Sequence, residues 1–295
     1  MSKCRSKRAL LLAGLAAAML LAAQAPTYAS DKATATPALN PASPPTDIAA
    51  DFTIHVGGLL FIAGRFSATV EDEAYRLAAT MGTAGATRRF YPADYKLLSE
   101  GHLAGAQVKP RHYVSDSTSK HSARLVSLAY GADGMPRLTA KPPYDPKDAT
   151  DVSPSLQRNT QDPMSAMLMP VAASQNPCAR TIPVFDGKRR YDLKLTYEGE
   201  KEMTPRGLKR PVTAIVCTIR YVPIAPVERR KFTDMLRRND DMKVWLAPFD
   251  DGRVYMPVRF QLRTPLGGAV MELTQVTERM AARGDATPTS MTAMK

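Results

Sequence analysis

The feature that most constrains the fold is a period of two in the apolar side chains of several segments. Residues 190 to 198, 214 to 221 and 253 to 264 each place large apolar side chains at every second position. In the last of these, one face carries Val254, Met256, Val258, Phe260 and Leu262. Because successive side chains of a β-strand point to opposite faces, one dry face and one wet face is typical of antiparallel strands. The weaker strand candidates are 52–70, 73–81, 111–116, 123–130, 242–248 and 268–277.

Turn sequences separate these segments. Asp133-Gly134, Asp186-Gly187 and Asp251-Gly252 each lie between apolar stretches, and glycine accepts the positive φ that tight hairpin turns need. Consecutive hairpins form a meander that curls or closes. The prediction is therefore an all-β, mainly antiparallel fold, a large β-barrel-like or spiral sheet with a few short helices.

Three segments are predicted to be helical. Asp162-Pro163 is a good helix start, and Met164 to Met169 would form barely two turns before Pro170. Pro92 to Glu100 is a second candidate, and Glu228 to Arg238 is a third, with an apolar stripe under a basic face.

The amino-terminal segment has the order of a secretory signal peptide. Four basic residues precede an apolar run from Ala9 to Ala23, and Thr27-Tyr28-Ala29 offers a small residue at the cleavage position. The predicted organisation is a signal peptide at 1–29, a disordered Ala/Pro-rich leader at 30–50, one β-barrel-like domain at 51–280 and a disordered tail at 281–295. A Pro-rich surface loop is predicted at 141–162. No later apolar run is long enough for a transmembrane helix.

Cysteine usage fits an exported chain. Removal of Cys4 with the signal leaves Cys178 and Cys217, and two cysteines in an oxidising compartment most often pair. Two separate thiols and a redox pair are the alternatives, although the Cys-x-x-Cys spacing typical of redox sites is absent.

Several of these segments together resemble an exported bacterial family, domain of unknown function 3108. The most specific parts are the Asp162-Pro163-Met164-Ser165-Ala166 block and the hairpin from Phe185 to Leu193. The two cysteines, the stretch from Gly57 to Tyr75 and Ser99-Glu100-Gly101-His102 are similar too. The resemblance implies a periplasmic protein of Gram-negative bacteria with a large antiparallel sheet. It also suggests a role in cell-envelope integrity, but it carries over no activity and no site residue.

Basic residues supply the first candidate sites. The formal net charge is +12, and it falls to +8 without the signal segment. Arg189 and Arg190 could bind an anion at the rim of a hairpin, and Arg259 could belong to a basic stripe on one strand. Outside the cytoplasm the expected partners are anionic envelope components, namely lipid head groups, cell-wall peptides or acidic proteins, and not nucleic acid. The alternative is a solvated face with no partner.

Methionines supply the other candidate site. Met164 and Met167 could line an apolar cavity, because flexible thioether side chains adapt to varied ligands. The alternative is that they are ordinary core residues of a short helix that plugs the barrel.

No catalytic motif, cofactor motif or metal-ligand spacing is present in the sequence. The predicted function is therefore a non-catalytic structural or interaction role in the periplasmic envelope. A carrier or sensor of a lipid-like ligand is the first alternative, and a cell-wall hydrolase is the second. A continuous apolar cavity would favour the carrier. A polar cleft that joins a carboxylate to His or Ser would favour the enzyme, and a filled core would favour the structural role.

Overall fold

The computed structural model describes residues 45–144, 152–171, 176–226 and 231–280, all within one compact unit, Ala42–Lys295. The first half of the sheet contains seven strands: β1 (Thr46–Val56), β2 (Leu59–Val70), β3 (Ala74–Thr83), β4 (Ala93–Ala104), β5 (Gln107–Ser119), β6 (Ala123–Tyr130) and β7 (Pro136–Lys141). The second half contains seven more: β8 (Met169–Pro170), β9 (Arg180–Phe185), β10 (Arg190–Met203), β11 (Val212–Ala225), β12 (Lys243–Phe249), β13 (Val254–Thr264) and β14 (Gly267–Met280).

These strands form one antiparallel sheet built from two meanders. Strands β1 to β7 pair in sequence order, as do β9 to β14, and β1 pairs with β14 to join the two halves. The short β8 lies off this path and pairs with β13. Strands β7 and β9 are therefore the two ends of the sheet. The predicted fold class is confirmed.

The sheet curls until its two ends approach each other. The turn between β9 and β10 packs on β6 and β7, where a Cβ added at Gly187 would lie 2.8 Å from Val126 and 3.0 Å from Leu138. Gln161, from the connection between the halves, forms a parallel bridge with Val184 of β9. The gap between the sheet ends is thus partly filled by the connecting segment.

Of the surface loop predicted at 141–162, residues 141–143 and 153–156 are exposed, whereas Val152, Thr160 and Asp162 are buried. Residues 145–151 lie outside the described residues.

Two apolar clusters form the core. The larger cluster joins β1 to β3 with β12 to β14 and includes Ile48, Leu77, Phe249 and Val254. The smaller one surrounds the cysteines and includes Ile182, Leu195 and Leu246.

The described helices are short: α1 (Gly85–Phe90), α2 (Pro154–Gln157) and α3 (Lys231–Arg238), with 3-10 helices at Ser165–Met167 and Asp250–Gly252. The helix predicted near Met164 is present as a 3-10 turn, and α3 confirms the described part of the third candidate. The helix predicted at Pro92 to Glu100 is wrong, because that segment is strand β4 between β3 and β5.

One predicted boundary also needs correction. Strand β1 begins at Thr46, which is 1% exposed, so the leader predicted to end at residue 50 extends too far into the domain. The ladder to β14 requires these residues, since Thr46 pairs with Met280. The predicted signal peptide, the rest of the leader before residue 45 and the predicted tail lie outside the described residues.

The predicted cysteine pairing is confirmed. Cys178 and Cys217 form a disulfide with their Cα atoms 5.4 Å apart, and both are fully buried. Cys178 precedes β9 and Cys217 lies in β11, so the bond joins the strands on either side of β10.

Candidate functional site

A buried carboxylate fixes the segment that enters the sheet. Asp162 Oδ1 accepts hydrogen bonds from the backbone N–H groups of Met164 and Ser165, both at 2.9 Å. Its Oδ2 accepts a 2.8 Å bond from the Ser99 hydroxyl on β4. Burial raises the pKa of Asp162, while these donors oppose the shift. The Asp-Pro-Met-Ser-Ala block is thus an anchor that holds residues 164–169 inside the sheet.

Beside this anchor lies an apolar cavity of about 340 Å³. It is lined by the inner faces of β1 to β3 and β9 to β14 and by the anchored segment, and it lies between the two core clusters. None of its lining side chains is ionisable. Typical members of the lining are Ile48, Phe52, Phe66, Met164, Ile182, Leu193, Met256, Phe260 and Met271.

The cavity opens toward one end of the sheet. Along β1 the lining changes from Ile48, which is buried, to Phe52 and Ile54, which are half-buried. Next to that end are the β1–β2 and β13–β14 turns, which touch each other through the Gly57 N–H and the Gly268 carbonyl. Leu59 and Leu266, beside and within these turns, are 74% and 77% exposed, so this end of the sheet presents apolar side chains to solvent.

The two predicted methionines both line this cavity. Met164 is 1% exposed and Met167 is half-buried. Their placement agrees with the cavity interpretation, while ligand binding by them stays a prediction.

The predicted arginine pair does not form one site. Arg189 pairs with Asp186 at 2.9 Å, while Arg190 pairs with Asp192 at 2.7 Å and donates to the Leu156 carbonyl. These contacts stabilise the hairpin and its junction with α2. These ion pairs offset the positive charge of both guanidinium groups, which would otherwise attract an anion. They therefore favour the structural interpretation.

Arg259 is also engaged. It pairs with Glu272 of the neighbouring strand and lies over the Trp245 ring, with 5.3 Å between the guanidinium carbon and the ring centroid. Both contacts are cross-strand interactions within the sheet. Its role in a basic stripe stays a prediction.

Sequence reasoning missed most of the lining, although part of the signal was present. Ile48, Ala50, Phe52 and Ile54 alternate along β1 with Ala49, Asp51 and Thr53, but the prediction placed 48 and 50 in the leader. Alternation identifies an inward face, yet it does not distinguish a filled interior from a cavity.

The family model for Protein of unknown function (DUF3108) matches residues 51–274. This chain belongs to the DUF3108 family. No curated protein matches the chain. A β-barrel-like DUF1849 protein from Brucella abortus is 10% identical, with 81% of this chain and 99% of that chain covered and a TM-score of 0.43. A DUF1329 family protein from Desulfovibrio piger is 11% identical, with 81% and 88% covered and a TM-score of 0.19.

The DUF3108 family is described as one of unknown function, so a functional inference has to rest on the residues of the site. Among the described residues, no group of three or more His, Cys, Asp or Glu side chains could hold a metal ion. No helix in the described part of the chain is long and apolar enough to cross a membrane. An uncharged, apolar cavity is suited to binding and offers no acid, base or nucleophile.

Proposed function

We propose that this DUF3108 protein is a non-catalytic, exported protein that binds a lipid-like apolar ligand inside its curled sheet, as a carrier or sensor. The apolar cavity with no ionisable lining residue carries this proposal. Its volume of about 340 Å³ falls at the lower end of small-molecule sites, roughly 300–1,000 Å³.

The cavity offers a physical basis for affinity without specific hydrogen bonds. Removing apolar surface from water contributes about 25 cal/mol per Å². The methionines of the anchored segment can adjust to ligands of different shape, because the thioether side chain has three rotatable bonds. Recognition would then depend on apolar volume more than on a particular head group.

The two competing functions have weaker support. A purely structural role would be favoured by a filled core, whereas the core of this protein contains an open apolar cavity. A cell-wall hydrolase would need ionisable groups facing its substrate, and the cavity lining has none.

The cellular setting belongs to the same proposal. The predicted signal peptide and the disulfide support export to the periplasm, where acyl chains and other envelope lipids are available. Anionic envelope components remain the proposed partners of the basic surface.

The test uses a neutral probe, N-phenyl-1-naphthylamine, whose fluorescence rises in apolar surroundings. The wild-type protein should bind it saturably, and Met167→Asp should weaken binding at least tenfold because a carboxylate would enter the cavity wall. Leu156→Asp is the matched control, since Leu156 is exposed on α2 outside the cavity, and it should bind as the wild type does.

Met271→Asp, on β14 near the mouth, provides a second cavity variant. Trp245 emission establishes that each variant is folded. Absence of wild-type binding, or equal binding by the folded cavity variants, would contradict the proposal.

A further inference from the structure

A second, polar cleft lies on the opposite end of the sheet from the cavity mouth. It has a volume of about 1150 Å³ and lies between the start of β5 and strand β9, with the β6–β7 turn and residues 159–161 beside it. Its lining includes His102, Gln107, Lys109, Arg111, Tyr130, Asn159, Thr160, Gln161, Asn176, Arg180 and Thr181.

The charges of this cleft have one sign. Lys109, Arg111 and Arg180 line it, and none of its lining residues is Asp or Glu. Arg111 has a partner outside the lining, Glu100, at 3.3 Å. Within the described ranges, Lys109 and Arg180 form no ion pair. The lining of the cleft therefore carries positive charge and no negative charge of its own, which favours an anionic ligand.

Arg180 distinguishes this cleft from an ordinary solvated surface. Its guanidinium is half-buried and donates a single hydrogen bond among the described residues, from Nη2 to the Pro170 carbonyl at 3.2 Å. Burial lowers the pKa of Arg180, and no carboxylate offsets this effect. A partly desolvated cation without a counter-ion is costly to maintain, so its presence is easiest to explain if an anion binds there.

One neutral group in the wall also lacks a partner. Gln161 Oε1 is buried and accepts no hydrogen bond within the described part of the chain. The hydrogen-bonding capacity of the wall is therefore only partly used by the protein itself.

We infer that this cleft binds a phosphate group, with Arg180 and Lys109 as its charged contacts. Guanidinium N–H groups match phosphate oxygens in geometry, and an ammonium adds a second point charge. A phosphate monoester carries nearly two negative charges, so it can offset the charge of two cations that line one cleft.

The phosphate could belong to a free polyol phosphate or to a lipid head group. Ile182 lines both the cleft and the apolar cavity, and it lies two positions after Arg180 on the same face of β9. A single ligand could thus place its phosphate in the cleft and its acyl chain past Ile182. The inference itself does not depend on occupation of the cavity.

Isothermal titration calorimetry with glycerol 3-phosphate and with a monoacylglycerol phosphate, below its micellar concentration, tests the site. Saturable binding is expected for at least one probe, weakened about tenfold or more in both Arg180→Met and Lys109→Met, and by added salt. Arg180→Lys should recover part of the affinity. Arg89→Met, an exposed cation on α1, is the matched control and should bind as the wild type does.

The two probes identify the source of the phosphate. Equal affinity would indicate a free phosphate ester. Tighter binding of the acylated probe, with the gain lost in Met167→Asp, would indicate a lipid head group. No saturable binding of either probe, or unchanged binding in folded Arg180→Met, would overturn the inference. The cavity proposal is tested independently by the neutral naphthylamine probe, because failure of phosphate binding in the cleft would leave binding of that probe unchanged.

Discussion

Replacement of Asp162 by alanine tests whether the buried carboxylate anchors the segment that lines the cavity. The substitution removes the acceptor for the Met164 and Ser165 N–H groups while leaving both groups buried. The Ser99 hydroxyl loses its acceptor too, but the Tyr75 hydroxyl lies 3.4 Å from it and offers an alternative.

The expected cost follows from these contacts. A buried donor left without an acceptor costs about 1–3 kcal/mol, so two of them lower the free energy of unfolding by roughly 2–6 kcal/mol. Removing a desolvated carboxylate offsets part of this loss. We therefore expect Asp162→Ala to lower the free energy of unfolding by about 3 kcal/mol.

Asp162→Asn is the matched control. Its side-chain oxygen can still accept from Met164 and Ser165, and the Ser99 hydroxyl can rotate to accept from the new amide. The expected loss is about 1 kcal/mol. Urea unfolding followed by Trp245 emission measures both variants, since Trp245 is the single tryptophan and is 8% exposed. A loss below about 0.5 kcal/mol in the alanine variant, or equal losses in both, would refute the anchor.

The same pair predicts a pH dependence. Because the pKa of Asp162 is raised in the folded protein above its usual 3.8, the folded state binds the proton more tightly than the unfolded state. The contribution of this group to stability is therefore largest below pH 3.8 and falls as pH rises through the folded pKa. The free energy of unfolding of the wild type relative to that of Asp162→Asn should therefore decrease as pH rises through the folded pKa of Asp162. A difference independent of pH would contradict this prediction.

Two further predictions concern the disulfide and the buried tyrosines. Joint replacement of Cys178 and Cys217 by serine should lower the free energy of unfolding by about 4 kcal/mol, since the bond closes a loop with a sequence separation of 39. Urea unfolding measures this change, and a free energy of unfolding equal to that of the wild type would contradict the prediction. Burial raises the pKa of Tyr75, Tyr113 and Tyr130, so the folded state retains their protons and stability should fall as pH rises above about 10. Absorbance at alkaline pH should then show these phenols ionising only with unfolding, and ionisation before unfolding would refute their burial.

Much of the secondary structure could be predicted from local patterns. Strand β13 follows the alternation of 253 to 264, and the Asp186-Gly187 turn joins β9 to β10 as expected. Gly187 has a φ of +89° there, which is why glycine was informative at this position. Period-two alternation and turn chemistry depend on residues that are close in sequence, so they can be recognised without knowledge of the tertiary fold.

Strand β4 shows where local patterns fail. Tyr95, Leu97 and Leu98 resemble the apolar stripe of a helix, but the segment pairs with β3 on one side and β5 on the other. Ser99 of this strand is fully buried, and its hydroxyl donates to Asp162. No local pattern predicts a buried serine whose partner comes from a distant part of the chain.

The sequence by itself predicted most of the antiparallel strands, three of the hairpin turns and, with two thiols and a redox pair as alternatives, the pairing of Cys178 with Cys217. Only the tertiary structure decided that the interior holds an apolar cavity, and that Lys109 and Arg180 face one cleft. Strand pairing depends on the alternation and turns that each hairpin carries in its own residues. A cavity or a cleft depends on how far the sheet curls and where its ends meet, which is set by packing between residues that are remote in the chain.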